Sequence, residues 1–243
     1  MKKLLSLIKW DLITQQKYGL FSAGFILSLV WIAILMFLPD KAITIALPIV
    51  LLGDLAVMGY MFIAAMVFFE KGQGSIFAVV TTPIKVKQYI LAKIISLLIF
   101  ITAVSVAVVY AVSIAKGVSV NLLFVLIAIL LTALFYMLLG LFIATKYKDF
   151  TDFLFPSGVW LMALFIPMLG LLELPGLAFM NKLFYVFPSQ GMLFLMKAMF
   201  SKVSSFNLIY AIGFNVVAII VLFNLCVKEF NRKVIGRRRD INV

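Results

Sequence analysis

The chain has 243 residues, of which 65% are hydrophobic and only 12% are charged, and its mean hydropathy is +1.22. Soluble domains are about 45–50% apolar and about 25% charged, so this composition excludes a water-soluble globule and indicates an integral membrane protein. In a soluble protein the net charge of +12 would favour nucleic acid as a partner. Here the basic residues lie between apolar runs, where they face lipid phosphates and determine topology, so we expect no nucleic-acid binding.

Two residue types that support much of enzyme chemistry are missing or isolated. The sequence has no histidine, and its one cysteine, Cys226, lies inside a hydrophobic run. This excludes a disulfide within the chain and any Cys/His metal site. It also excludes Ser–His and Cys–His nucleophilic catalysis. We therefore expect no catalytic residue and no metal site in this chain.

Residues 1–17 are amphipathic rather than membrane-spanning. At about 100° per residue the apolar side chains form one stripe, and most of the lysines fall on the other side. The pattern predicts a basic helix that lies in the membrane interface; the alternative is a frayed tail. The residues of the apolar stripe are Met1, Leu4, Leu5, Ile8 and Leu12.

Six runs that follow meet the length of about 20 mostly apolar residues needed to cross a bilayer. They are residues 20–38, 45–69, 89–115, 121–145, 153–172 and 206–227. The sequence therefore predicts an all-α membrane protein, with residues 1–243 forming a single transmembrane domain. Pro156 falls in the first turn of the fifth predicted span, where proline is tolerated.

The distribution of basic residues predicts the orientation. If both termini lie on one side, that side holds sixteen of the 21 lysines and arginines and the other side holds five. Because Lys and Arg are enriched in cytoplasmic loops, both termini and the connection formed by residues 70–88 are expected in the cytoplasm.

Residues 70–88 form the longest internal stretch that is neither continuously apolar nor an extended loop. Glu70 and Lys71 close the second span, and two glycines then interrupt its helix. Residues 75–81 have room for about two turns of helix, which Pro83 ends because proline disfavours the α conformation of the residue before it. A short helix at the membrane surface could transmit a movement of a soluble partner to the spans on either side of it. The alternative is a basic loop that only determines topology.

The connection formed by residues 173–205 is the only long one on the opposite side. Its residues 190–200 are apolar but too few to cross, so they are predicted to form a re-entrant or interfacial helix with Ser189 as its N-cap. A plain surface loop is disfavoured because it would expose a large apolar patch.

Asp54 is the only acidic residue well inside a predicted span. A carboxylate at the centre of a membrane helix costs about 2.5–3.5 kcal/mol on insertion scales, so it normally faces protein or water. It precedes Glu70 by 16 residues, which corresponds to about 24 Å of helix. One interpretation is a polar point on the path of a cationic substrate; the other is a structural Asp with a satisfied hydrogen bond.

The sequence contains no phosphate-binding loop of the form G-x-x-x-x-G-K-[ST], and no soluble segment is long enough for a nucleotide-binding domain. If transport is driven by ATP, another chain must supply the energy.

The whole layout resembles the ABC-2 type permease family. Shared features are the interfacial helix, six spans, the hairpin before the last span, and a cytoplasmic stretch with Glu70-Lys71-Gly72, Thr82-Pro83 and Tyr89 to Lys93. More narrowly, the stretches LIKWD, GDLAVMG, FEKGQGSIFAVVTTP and FPSQG are similar to permease subunits of fluoroquinolone exporters, which occur alongside peptide exporters of Gram-positive bacteria.

The resemblance implies half of a transporter in a bacterial cell membrane. Two permease chains would pair, each with a separate ATP-binding subunit that carries ATP and Mg²⁺, so this chain itself needs no cofactor. Residues Pro188, Ser189 and Gln190 would form an external gate, and the substrate, a drug or peptide of amphipathic character, would pass along the dimer axis. The residues expected to dock the ATPase are Glu70, Lys71, Gly72, Gly74, Ser75, Phe77, Thr82, Pro83 and Lys85.

Three other functions are left open by the residues. An ion-coupled secondary carrier is disfavoured by the single acid at depth and the lack of an internal repeat. A membrane enzyme is disfavoured by the absence of histidine and of an acid pair. A non-transporting immunity or sensor subunit would share every feature of the sequence.

Overall fold

The computed structural model describes residues 2–74, 84–168 and 181–241. All regular secondary structure in these ranges is helical. The helices are α1 (Lys2–Lys17), α2 (Leu20–Phe37), α3 (Asp40–Gly72), α4 (Val86–Lys116), α5 (Leu122–Ala144), α6 (Phe150–Phe165), α7 (Asn181–Phe184), α8 (Pro188–Lys197) and α9 (Ser205–Ile241).

Within the described residues, six helices are long and apolar enough to cross a membrane. They are α2, α3, α4, α5, α6 and α9, so the predicted all-α class with six spans is confirmed. The lengths of the apolar runs determine the number of spans directly, because each run must be long enough to cross the bilayer. Helix α8 has ten residues, and helix α1 has 16 residues of mixed polarity. The interfacial position of α1 and the re-entrant path of α8 stay predictions.

Contacts between helix termini show which ends lie together. At one end, here called the Asp40 end, the ammonium group of Lys116 lies 2.8 Å from the carbonyl oxygen of Leu38 and 3.3 Å from the carboxylate of Asp40. At the other, called the Glu70 end, the ammonium group of Lys71 lies 2.9 Å from the carbonyl oxygen of Ala144. Successive spans therefore run in alternating directions, as short connections require.

Helices α3 and α5 form the packed centre of the bundle. A π-helical turn, Met58–Phe62, interrupts α3 and brings its backbone against α5. A Cβ atom added to Gly140 would lie 2.4 Å from the carbonyl oxygen of Tyr60. Only glycine allows such a close approach, which is the usual way that membrane helices maximise their packing. By contrast, α9 exposes a long apolar surface, with Ile209 73% and Val217 60% exposed.

Two details differ from the predictions. Ser189 is not the N-cap of α8: the helix begins two residues earlier than predicted, with Phe187 as the N-cap and Pro188 in the first turn, because proline is pre-organised for that position. Pro156 is not in a first turn either, because α6 begins at Phe150. The carboxylate of Asp149 accepts the backbone N–H of Asp152 at 2.9 Å and caps that earlier start.

The close approach of α3 and α5 generates a prediction. Changing Gly140 to Ala forces the backbone of Tyr60 away and should destabilise the protein by about 1–3 kcal/mol, as overpacking does. Thermal unfolding of the purified protein in detergent measures this. The matched control is Gly53→Ala, where nothing lies within 4 Å of the added Cβ. Equal melting temperatures for the two variants would contradict the packing described here.

Candidate functional site

The predicted docking residues are described only in part. Ser75, Phe77, Thr82 and Pro83 lie outside the described residues, so the short helix predicted for this stretch stays a prediction. The two flanks are described. Helix α3 ends at Gly72 and α4 begins at Val86.

Each flank has a clear boundary. Gly74 has a φ of +69°, the left-handed conformation that glycine adopts without a steric penalty, and so redirects the chain after α3. On the other side Lys85 is the N-cap of α4 in an extended conformation, with a hydrogen bond from its backbone N–H to the side-chain amide oxygen of Gln88 at 3.2 Å.

A buried ion-pair cluster joins both flanks to α1. The side chain of Lys93 on α4 is fully buried, and its ammonium group pairs with the carboxylate of Asp11 on α1 at 3.2 Å and with the carboxylate of Glu70 on α3. The hydroxyl of Tyr89, one turn earlier on α4, donates to the second oxygen of Glu70. We call Asp11, Glu70, Tyr89 and Lys93 the Lys93 cluster.

Helical periodicity explains how the cluster is built. Tyr89 and Lys93 are four residues apart on α4 and therefore share a face, where the ammonium group of Lys93 also lies 4.8 Å from the centre of the Tyr89 ring. One turn beyond the pair of Asp11 and Lys93, the side-chain amide of Gln15 donates to the hydroxyl of Ser96 at 2.8 Å. Helix α1 is thus held against α4 by two polar contacts one turn apart.

The cluster contains two carboxylates and one ammonium group, so its electrostatics are unbalanced. Burial raises the pKa of Asp11 above its ordinary value, and the attraction of Lys93, which lowers it, does not cancel this effect. Removing one partner of a buried pair costs much more than the pair contributes, because it leaves an uncompensated buried charge. Lys93 is therefore a residue on which the packing of three helices depends.

Lys71 connects the same end of α3 to α5. Its ammonium group lies 2.9 Å from the carbonyl oxygens of both Ala144 and Tyr147. These carbonyls lie at and just beyond the C-terminus of α5, where unpaired carbonyl groups and the helix dipole favour a cation. Adjacent residues of the predicted docking segment thus bind different neighbours, Glu70 the α1–α4 side and Lys71 the α5 side.

Asp54 lies in α3, four residues before the π-helical turn begins. It is buried, and the indole N–H of Trp31 on α2 donates to its carboxylate at 3.0 Å. Among the described residues no lysine or arginine lies within ion-pair distance of Asp54. The hydrogen bond fits the structural interpretation.

The predicted gate residues lie at the start of α8, where this helix contacts α9. The side-chain amide of Asn215 on α9 donates to the carbonyl oxygen of Pro188 at 3.3 Å. Gly191 packs directly against Asn215, since an added Cβ would lie 2.7 Å from that amide nitrogen. The hydroxyl of Ser189 and the amide oxygen of Gln190 are buried without a protein partner. The gate, Asp54 and the docking residues are therefore three separate places along the bundle.

The sequence alone does not reveal the Lys93 cluster. Glu70, Tyr89 and Lys93 belong to the pattern shared with the ABC-2 type permease family, but no sequence pattern joins them to each other or to Asp11. The available signal was the position of Lys93 several residues inside an apolar run, because a charge at such depth needs a partner. The partner itself is 82 residues away in the sequence, a distance that no local pattern covers.

The cluster generates a prediction. Lys93→Met removes the buried ammonium group that lies between two partly buried carboxylates and should lower the free energy of unfolding by about 3–5 kcal/mol. Thermal unfolding in detergent measures the loss, with the exposed Lys87→Met on the same helix as the matched control. Adding Glu70→Gln to Lys93→Met should recover part of the stability, because it removes one of the two carboxylate charges that Lys93 neutralises. No difference between the two lysine variants would refute the role assigned to Lys93.

Comparison with known proteins identifies the family of the chain. Two curated relatives, fluoroquinolones export permease proteins from two strains of Mycobacterium tuberculosis, are each 31% identical to this chain over 243 residues, covering 98% of this chain and 98% of the relative. The model of the fluoroquinolones export permease protein family matches residues 2–238. This match is compatible with a permease of the ABC-2 type. The six apolar helices and this match together show a multi-pass membrane permease. The chain belongs to the fluoroquinolones export permease protein family.

Proposed function

We propose that this chain is the membrane subunit of an ATP-driven exporter and that a separate ATPase docks on the segment from Glu70 to Lys85. The observation that carries the proposal is the Lys93 cluster, which ties the two flanks of that segment to each other. The sequence itself has no phosphate-binding loop, so the hydrolysing site must belong to a partner chain that holds ATP and Mg²⁺.

The cluster supplies a mechanical reason for docking at this place. A force on the segment reaches Glu70 and Lys93 together, because their side chains form one ion pair. It therefore moves the end of α3 and the start of α4 as a unit, and Asp11 passes the displacement to α1. Lys71 passes it to α5 through the two carbonyl groups that it contacts. A force on the docking segment therefore displaces four helices together rather than one loop alone.

The assembly that follows has two copies of this chain and two ATPase subunits, with the Glu70 end in the cytoplasm of a bacterial cell. This orientation rests on the sixteen basic residues that the sequence places on that side. The substrate is an amphipathic or hydrophobic compound, a drug or a peptide. The name of the relatives supports a fluoroquinolone as a first compound to test.

The path runs from Asp54 toward the gate formed by Pro188, Ser189 and Gln190. Asp54 would attract the cationic group of a substrate. The unpaired polar atoms of Ser189 and Gln190 would receive its polar groups near the exit.

One observation favours a second function, an ion-coupled carrier. Asp54 is a buried carboxylate in a span, and such residues mark proton pathways in many transporters. Export that continues after ATP depletion but stops when the proton gradient is collapsed would support this carrier and contradict the ATP-driven mechanism.

The docking assignment is tested by co-purification. Replacing residues 72–82 by a neutral linker of equal length should abolish co-purification of the ATPase while leaving the six spans in the membrane. The control is the external substitution Lys41→Ala at the other end of α3, which should retain the partner. Retained ATPase binding by the linker variant would defeat the assignment.

The role of Asp54 is tested with two substitutions. Asp54→Asn keeps an oxygen that accepts from Trp31 but removes the charge, so export of a cationic compound should fall at least about tenfold if an ion pair of about 1.4 kcal/mol or more is lost. Trp31→Phe removes the hydrogen bond and keeps the charge, and should change export less. Uptake and efflux assays in vesicles measure both. A larger defect for Trp31→Phe would favour the structural interpretation.

A further inference from the structure

A cavity of about 580 Å³ lies at the Asp40 end, between the start of α5 and the connection from α8 to α9. It is separate from Asp54 and from the Lys93 cluster. Its volume lies in the range of small-molecule sites, about 300–1,000 Å³. The cavity is bounded by the first turns of α5 and α9.

Part of the lining is polar and carries a positive charge. Ser119, Ser201 and Lys202 belong to this part, and Lys202 is exposed. No acidic residue is among the lining residues. At this end of the described structure Asp40 already pairs with Lys116 at 3.3 Å, so the local charge favours an anion.

Another part of the lining is apolar. Phe124 on α5 and Leu208 on α9 belong to it. The neighbouring Leu123 is 64% exposed and Phe206 is 69% exposed, so apolar surface adjoins the cavity on both helices. A ligand that fits both parts has an anionic head and an apolar chain.

Hydrogen bonds within the protein fix the segments that line the cavity, so the site is preformed. The backbone N–H of Asn121 donates to the carbonyl oxygen of Met199 at 2.9 Å and joins the two connections across the cavity. The side chain of Asn121 also accepts the backbone N–H of Leu123 at 3.1 Å and so fixes the start of α5. A preformed site binds with a smaller entropic cost than one that must be ordered.

We propose that this cavity binds the headgroup of an anionic phospholipid such as phosphatidylglycerol, with the phosphate at Lys202 and the acyl chain along Phe124 and Leu208. A lysine near a membrane surface attracts anionic lipid headgroups electrostatically. Ala198, Met199 and Phe200 also line the cavity, directly after the end of α8, so a bound lipid would support the helix whose other end carries the predicted gate residues.

The test is lipid binding to the purified full chain by native mass spectrometry, with phosphatidylglycerol and phosphatidylcholine of equal chain length. We expect phosphatidylglycerol to be preferred. Lys202→Gln should weaken its binding about fivefold, the contribution of one lysine near an anionic lipid surface. Lys197→Gln is the matched control, since Lys197 is exposed on α8 but lies outside the cavity.

Two further measurements distinguish a lipid headgroup from a free phosphate as the bound anion. Glycerol phosphate, which has no acyl chain, should bind at least ten times more weakly than phosphatidylglycerol, and Leu208→Trp, which fills the apolar side, should weaken binding of the lipid. Equal effects of the two lysine variants, or equal binding of the two lipids, would overturn the proposal. Strong binding of glycerol phosphate would assign the cavity to a free phosphate instead.

A competition experiment gives one more outcome. Displacement of the lipid by a fluoroquinolone at equal concentration would assign the cavity to the exported compound and would also overturn the lipid site. None of these results depends on the ATPase.

Discussion

The arrangement of the Glu70 end depends on the burial of one ammonium group. Taking the charge of Lys93 out of water is costly, and two carboxylates from other helices compensate for that cost. Because Asp11 comes from α1 and Glu70 from α3, the requirement to neutralise Lys93 decides where both helices lie. In a membrane protein the hydrophobic effect contributes little to the association of helices, since lipid is as apolar as leucine, so close packing and polar contacts decide the arrangement. A buried polar contact of this kind is therefore well suited to select one arrangement among many.

The packed centre uses a different device. Helix α3 departs from regular α geometry at Met58–Phe62, and α5 has a glycine where the displaced backbone comes closest. π-helical turns are often found at functional sites, and this one follows Asp54 by one turn. The spans α2, α6 and α9 pack around this centre and keep outer faces with exposed apolar side chains. The bundle thus has a closely packed interior and an apolar outer surface.

The three proposed functional places differ in what holds them. Ion pairs and carbonyl contacts hold the docking flanks, an indole hydrogen bond holds Asp54, and a helix–helix contact through Gly191 and Asn215 holds the gate. Polar atoms at the gate remain without protein partners inside the described structure, as for Ser189. Unpaired polar atoms cost more in an apolar environment than in water, so they mark places where water or a ligand belongs.

The sequence by itself determined the class of this protein, because long apolar runs have no stable alternative to membrane-spanning helices. It also indicated the family and the stretch around Glu70, since these depend on local patterns. Only the tertiary structure decided which charged residues meet. Lys93 and Asp11 are 82 residues apart, and neither the period of a helix nor the spacing of a motif relates such positions. The N-cap of α8 and the place of Pro156 in α6 were predicted wrongly for a related reason. The terminus of a helix depends on which hydrogen bonds its first turn can complete, as the capping of α6 by Asp149 shows.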